Sequence, residues 1–164
     1  MLPIRSILHP TDFSERSEYA FRVACSLARD YQARLIVLHV ATTPVIVYGT
    51  GVVPPDAERY RTELQEKLTK LQTQDPTVRV ECRLATNGDA VPEILRVARE
   101  CDLIVMGTHG WTGLSRLLMG SVAEGVVRKA SCPVLTLRGP FPHAVSVPAP
   151  DIGQANKSVE VATA

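Results

Sequence analysis

The segment MGTHGWTGLSRLLMGSVAEGVV, residues 106–127, is the part of the sequence best suited to chemistry, because five glycines follow an apolar run. Gly107 and Gly110 could turn the chain sharply, and Gly120-Ser121 could open a helix. Backbone N–H groups with no side chain in the way, next to the positive end of a helix dipole, bind phosphate groups. The pattern therefore predicts a phosphate site, with glycines that only serve turns as the alternative.

The spacing of these glycines differs from the two common phosphate loops. It is neither G-x-G-x-x-G nor G-x-x-x-x-G-K-[ST], so the lysine that stabilises a transferring phosphoryl group is missing from the motif. Binding of a phosphorylated ligand is therefore favoured over fast phosphoryl transfer. No catalytic residue is assigned, and His39 and His109, lone histidines near strand ends, are expected to be structural.

Hydrophobic periodicity predicts the elements that position this segment. The nearly continuous apolar runs Arg34–Val40 and Leu103–Met106 are typical of strands covered on both faces of a parallel sheet. Residues 41–55, which show no clear period, are predicted to form a long loop. Further strands are predicted at Ile4–Leu8, Val78–Leu84 and Pro133–Leu137, the last two at sheet edges, and helices from about Ser14, Asp56, Asp89 and Ser121.

The alternation of strands and helices predicts a five-stranded parallel sheet with helices on both faces. Ligands bind such sheets beyond the carboxyl ends of the strands, where the winding reverses. With Ile4–Leu8 in the middle, the reversal lies between this strand and Leu103–Met106. Thr11-Asp12 and the turn 107–110 would then meet at one crevice.

Several of these residues also have a purely structural interpretation. Ser121-Val-Ala-Glu124 matches the capping box S-x-x-E, so Ser121 is expected to cap the last helix. Asp12 could likewise cap the first helix instead of touching a ligand. Arg116 could reach a phosphate or stay solvated. Gly125 lies inside the last helix at a cost of about 1 kcal/mol relative to alanine, which would permit close packing against the sheet.

Composition narrows the classes of protein. The chain has 164 residues, 45% of them hydrophobic, and a net charge of +1. Interspersed charges argue against nucleic-acid partners, and no apolar run is long enough for a membrane span. Without a signal-peptide pattern, we expect a cytoplasmic protein. The four cysteines lack paired spacing, so we expect buried or half-buried thiols and no metal site.

The arrangement Gly107-Thr-His-Gly110, nine residues, Gly120-Ser121 resembles the signature of the nucleotide-binding branch of the universal stress protein family. The opening Ile7–Ser14 and the closing Cys132–Leu137 are also similar to that family. The resemblance covers residues 1–138 and leaves 139–164, rich in Pro and Ala, as a poorly ordered tail. It implies a flavodoxin-like, Rossmann-like three-layer α/β fold with strand order 3-2-1-4-5, and homodimers through Pro133–Leu137.

The resemblance also implies a ligand, ATP or AMP, and roles for single residues. Asp12, next to Thr11 at the end of the first strand, contacts the nucleoside, and Val40 meets adenine through its backbone. The remaining contacts, along the ribose and phosphates, come from Gly107, Gly110, Gly120, Ser121 and the N–H of Val122.

Three functions are consistent with these residues. The first is a stress-response or regulatory protein that binds an adenine nucleotide, which a full cradle without obvious catalytic residues favours. The second is a slow ATPase or phosphotransferase in the same pocket, with Asp12 helping to hold Mg²⁺ alongside ATP. The third is a dimeric interaction module with an empty pocket.

Trp111 stands where many members of that family carry a basic or polar residue. An aromatic ring offers no charge to a β- or γ-phosphate, but it could cover the ligand, which weakens the case for ATP over AMP. Trp111 is the only tryptophan of the chain, so we expect its fluorescence to change when a nucleotide binds. A flat fluorescence titration of protein that binds the same nucleotide by calorimetry would place Trp111 outside the site.

Overall fold

The computed structural model describes residues 3–41, 46–48, 51–53, 57–72, 77–86, 88–108 and 119–138. These ranges contain seven strands and four helices, which alternate along the chain except for three consecutive strands after the first helix. Their bounds are β1 Ser6–Pro10, α1 Glu15–Tyr31, β2 Arg34–Ala41, β3 Ile46–Tyr48, β4 Gly51–Val53, α2 Ala57–Gln72, β5 Val80–Thr86, α3 Ala90–Ala98, β6 Leu103–Gly107, α4 Ser121–Lys129 and β7 Val134–Leu137.

Five of the strands form one parallel sheet in the order β5-β2-β1-β6-β7. Counted along the chain within this sheet, the order is 3-2-1-4-5, which confirms the flavodoxin-like arrangement. The winding reverses between β1 and β6, where Ile7 pairs with Leu103 and Leu8 with Ile104. As predicted, β5 and β7 are the edges.

The apolar runs of the central strands supply both faces of this sheet. Neighbouring residues alternate between two buried clusters, so that Leu35 and Val37 pack on the side of α1 and α2. Ile36 and Leu38 pack on the side of α3 and α4. Each buried aliphatic side chain contributes roughly 1.5–3 kcal/mol to folding. The sheet is therefore the middle of three layers. Because both of its faces are buried, apolar and polar residues do not alternate along its central strands.

The start of β1 is held by a carboxylate from the start of β6. The N–H groups of Arg5 and Ser6 both donate to Asp102 Oδ2 at 2.9 Å, and these bonds lower the pKa of Asp102. In the structure β1 begins at Ser6, two residues later than predicted.

The first helix is capped by Ser14. Its Oγ accepts a hydrogen bond from the N–H of Ser17, while Glu15 and Glu18 in the first turn favour the positive end of the helix dipole. The helix ends at Gln32, whose left-handed conformation, φ 54°, lets its N–H reach the last carbonyls. The alternative in which Asp12 caps α1 is therefore wrong.

The prediction of a single long loop over 41–55 is wrong in part. Ile46–Tyr48 and Gly51–Val53 pair as an antiparallel hairpin, with Ile46 opposite Val53. Ile, Val and Tyr favour strands, and only Gly49 and Thr50 separate the two runs in the sequence. Each run has three residues, too few for the alternation that signals a strand. Asp56, the expected cap of α2, lies outside the described residues.

Gly125 marks the contact between α3 and α4. A Cβ at this position would lie 2.9 Å from Cγ2 of Val91 and 3.2 Å from its Cγ1. The expectation that Gly125 permits close packing against the sheet is therefore wrong, since the close neighbour belongs to α3. Because Gly125 has no side chain, α3 and α4 can pack closely against each other on their side of the sheet.

The cysteines are buried or half-buried thiols, as the sequence predicted. Cys25 and Cys101 are buried, Cys82 and Cys132 are half-buried, and all four are free thiols. None of the helices in the described part of the chain combines the length and apolar character that crossing a bilayer demands.

His9 of β1 is fully buried in the core. Its Nδ1 lies 2.9 Å from the carbonyl oxygen of Val105. A carbonyl can only accept, so the proton of the neutral ring sits on Nδ1. Burial lowers the pKa of His9 from 6.5 to about 4, because the charged ring would lose its hydration.

The packing at Gly125 predicts a context-dependent effect of alanine. In wild-type protein the helix preference of alanine, about 1 kcal/mol, is offset by the clash with Val91. In a Val91→Ala background the clash disappears, so Gly125→Ala should then stabilise by about 1 kcal/mol. Urea unfolding of the four proteins of this double-mutant cycle measures the difference. Equal effects of Gly125→Ala in both backgrounds would contradict the contact.

Burial of neutral His9 predicts acid destabilisation in a defined window. Below pH 6.5 the unfolded chain takes up a proton at His9 while the folded protein does not, until the pH approaches 4. The free energy of unfolding should therefore fall through this window by up to about 3 kcal/mol from this group. His9→Asn, whose amide can still donate to Val105, should show a shallower fall. Parallel curves of unfolding free energy against pH would refute this assignment.

Candidate functional site

A cavity opens at the carboxyl edge of the sheet, between the ends of β1 and β6 and the start of α4. Its floor includes the apolar side chains of Leu38, Ile94 and Met106. The structure brings six of the predicted site residues together in its lining, namely Thr11, Asp12, Gly107, Gly120, Ser121 and Val122. The cavity thus occupies the crevice expected from the reversal of winding.

The start of α4 differs by one residue from the prediction. Gly120 is the N-cap, with φ −62° and ψ 151°, and Ser121 is the first helical residue. The capping box predicted from Ser121 and Glu124 does not form, since Glu124 instead pairs with Arg128 at 2.9 Å. The cap shifts because the N–H of Gly120 donates to the carbonyl of Thr108 at 2.8 Å, which holds Gly120 extended.

This start leaves several donors of α4 directed to the cavity. The first bond within the helix runs from the N–H of Glu124 to the carbonyl of Gly120, at 2.9 Å. The N–H groups of Ser121, Val122 and Ala123 precede it and have no carbonyl one turn earlier in the helix. Gly120 has no side chain that could accept hydrogen bonds from these N–H groups. The positive end of the α4 dipole therefore borders the cavity without a capping side chain.

Asp12 lies opposite, in the turn between β1 and α1. Its Oδ1 accepts hydrogen bonds from the N–H of Ser14 at 3.0 Å and from the Oγ of Ser14 at 2.6 Å. This local turn fixes the carboxylate at the cavity wall. The residue between them, Phe13, has φ 61°, a left-handed conformation that is rare for a bulky side chain. The backbone strain at this turn thus lies beside the candidate site.

Thr11 is buried and anchored from three sides. Its N–H donates to the carbonyl of Leu38 at 2.9 Å. Its Oγ1 accepts from the Oγ of Ser17 at 2.8 Å and from the N–H of Phe13 at 3.1 Å. Its carbonyl accepts from Nδ1 of His39 at 2.8 Å. Burial lowers the pKa of His39, and the bond from its ring to the carbonyl of Thr11 fits the structural role expected for it.

Among the other predicted residues, the structure describes only Val40. Val40, the residue before the last one of β2, is half-buried. It packs against the cluster on the side of α3 and α4 and pairs with Ala85 in register. It lies outside the set of residues that lines the cavity. Gly110, Trp111, Arg116 and His109 lie outside the described residues.

Sequence reasoning missed two polar residues that shape this edge. Thr108 is buried, its N–H donates to the carbonyl of Leu137 at 2.9 Å, and its own carbonyl receives Gly120. Ser17 is buried in α1 and links Thr11 to His9, whose Nε2 lies 3.5 Å from the Ser17 Oγ. The signal for Ser17 was its position, since a small polar residue on the apolar face of a helix needs a buried partner.

Comparison with known proteins agrees with this architecture. The model of the universal stress protein family matches residues 3–138. The universal stress protein MJ0531 of Methanocaldococcus jannaschii is 34% identical over 142 residues, which is 83% of each chain. A crystal structure of a protein of the universal stress protein family from Burkholderia pseudomallei is 31% identical, with a TM-score of 0.66, and covers 84% of this chain and 98% of that one.

A further solved structure shares the fold at lower identity. It is a universal stress protein from Archaeoglobus fulgidus in complex with dAMP, 23% identical with a TM-score of 0.56, covering 84% of this chain and 100% of that one. With its parallel sheet in the order 3-2-1-4-5, the family model over 3–138 and a relative at 34% identity, the chain belongs to the universal stress protein family.

Proposed function

We propose that this protein binds an adenine nucleotide in the cavity between β1, β6 and α4. The observation that carries the proposal is the start of α4, which lines the cavity. The first N–H groups of this helix have no acceptor within the helix, and its N-cap residue is a glycine, which has no side chain to cap them. Such a helix start favours phosphate by hydrogen bonding and by its dipole. The protein would act as a regulatory nucleotide binder in a stress response.

The conformation of Gly120 supports a role in leaving space. Its φ of −62° is open to every residue, so the backbone does not require glycine there. What glycine offers is the absence of a side chain beside the N–H groups of Ser121 and Val122. In this proposal Gly107, Gly120, Ser121 and Val122 form the phosphate side of the site. The sequence adds Gly110 to them, with Trp111 or Arg116 as a ligand cover or phosphate contact.

The nucleoside side rests on Asp12 and on apolar walls. A carboxylate held by Ser14 suits the ribose hydroxyl groups, which donate hydrogen bonds. Leu38 and Ile94 supply the apolar surface that an adenine ring prefers. Val40 would meet adenine through its backbone at the end of β2. The dAMP held by the Archaeoglobus protein is a ligand of this chemistry in the same fold.

The proposed unit comprises residues 1–138, followed by 139–164 as a tail, and it would dimerise through Pro133–Leu137. Strand β7 is an edge of the sheet, and Leu135 on it is 36% exposed. An open edge strand with an exposed apolar side chain is a natural pairing surface.

Ligand retention and one substitution test the proposal. When the purified protein is denatured, it should release AMP or ATP in near-stoichiometric amounts, which mass spectrometry of the supernatant measures. Gly120→Val should abolish binding of both nucleotides by calorimetry, because a branched side chain would fill the phosphate site, while circular dichroism stays unchanged. Ser131→Val, an exposed position at the amino end of β7, is the matched control and should bind like wild type.

The outcomes separate the three functions. Unchanged affinity of Gly120→Val would sink the assignment of the phosphate site. If no nucleotide is released and Mg-ATP causes no thermal shift, both nucleotide-binding functions are excluded and the interaction module is the remaining function. Phosphate release from Mg-ATP well above that of Gly120→Val would favour the slow ATPase, and a higher affinity for AMP than for Mg-ATP would identify AMP as the ligand.

A further inference from the structure

Two of the four cysteines come together at the amino edge of the sheet, away from the cavity. Cys101 precedes β6 and Cys132 precedes β7, and these strands are parallel neighbours in which Ile104 pairs with Val134. Both sulfur atoms bond to the last turn of α3, Cys101 Sγ to the carbonyl of Val97 at 3.5 Å and Cys132 Sγ to the carbonyl of Ala98 at 3.8 Å. The two thiols thus bond to the carbonyls of consecutive residues at the end of the same helix.

The bonds to α3 place the two thiols on the same side of the sheet. Cys101 and Cys132 each lie two residues before the strand that follows them, so their positions are set by the carbonyls of Val97 and Ala98 and not by the strand register. The two thiols are close enough for the charge of Cys132 to contribute to the raised pKa of Cys101. Both side chains also belong to the same apolar cluster.

Cys25 and Cys82 provide an internal contrast. They pack in the other cluster, on the side of α1 and α2, so the sheet separates them from Cys101 and Cys132. Cys82 Sγ donates to the carbonyl of Leu68 in α2 at 3.3 Å. A bridge between a thiol of one cluster and a thiol of the other would have to pass through the sheet.

We propose that Cys101 and Cys132 form an intramolecular disulfide when the protein meets a peroxide oxidant. Cys132, the more exposed thiol, reacts first. Its thiolate attacks one peroxide oxygen, the O–O bond breaks, and a sulfenic acid and one water form. The Cys101 thiol, 8% exposed, then attacks the Cys132 sulfur, and the S–S bond forms as the hydroxyl leaves with the thiol proton as water.

The surroundings set the pace of this reaction. Burial raises the pKa of Cys132, and burial together with the charge of Glu100 raises the pKa of Cys101 to about 11. Thiolate is therefore scarce at neutral pH, and the bridge should form over minutes to hours rather than as a rapid sensor response.

The bridge would close a covalent loop around the candidate site. The chain from Cys101 to Cys132 includes β6, α4 and therefore Gly107, Gly120 and Ser121. Crosslinking its ends at the opposite edge of the sheet would restrict the unfolding of this part of the chain without placing any group in the cavity.

Hydrogen peroxide treatment of folded protein tests the proposal. In Cys25→Ala/Cys82→Ala protein we expect loss of both remaining thiols, a mass decrease of about 2 Da for the two hydrogens, and a peptide that joins Cys101 to Cys132. In denaturing electrophoresis without reductant, the oxidised protein should migrate as a single chain, and it should melt about 5 °C or more higher. Dithiothreitol should reverse all of these changes.

Matched variants decide the alternatives. Cys101→Ser and Cys132→Ser, each in the same background, should lose the mass decrease and the rise in melting temperature, with circular dichroism confirming that they fold. The proposal is overturned if both thiols stay free after hours in peroxide. It is equally overturned if oxidation yields disulfide-linked dimers or sulfinic acid on one cysteine in place of the internal bridge.

Discussion

The carboxyl edge of this protein depends on the parallel pairing of β1 with β6. These strands are far apart in the sequence, and their pairing places the turn after each one at the same crevice. The pairing is held at its other end by Asp102, which accepts the N–H groups of Arg5 and Ser6, and in its middle by His9, which donates to Val105. Asp12 and Gly107 both take their positions from this strand pair.

The same pairing explains why polar groups concentrate at one edge. The faces of the sheet are sealed by helices, so the central strands carry apolar side chains on both sides. The polar groups that line the cavity therefore lie at the strand ends and at the start of α4. The left-handed Phe13 is the local cost of turning the chain there, and its ring lies 4.5 Å from the His39 ring that anchors Thr11.

The sequence predicted the sheet and its crevice well, because strand burial and strand order leave strong periodic signals. It did not predict which residue caps α4, since the capping-box pattern names Ser121 and the competing bond from Gly120 to Thr108 joins residues that no local pattern relates. It missed the hairpin β3–β4 because three-residue strands carry almost no period. It placed Gly125 against the wrong neighbour, because packing between α3 and α4 depends on where both helices lie on the sheet.

The hydrogen bond between Gly120 and Thr108 also bears on how the site can evolve. It brings together the two ends of the segment that carries Trp111 and Arg116, so the anchor points are independent of what lies between them. Loop closure depends only logarithmically on length, roughly 0.6 kcal/mol for each doubling. Under the proposed function, insertions and substitutions in this segment would alter ligand preference while the anchor points at Thr108 and Gly120 stay in place, which would separate the evolution of specificity from that of the fold.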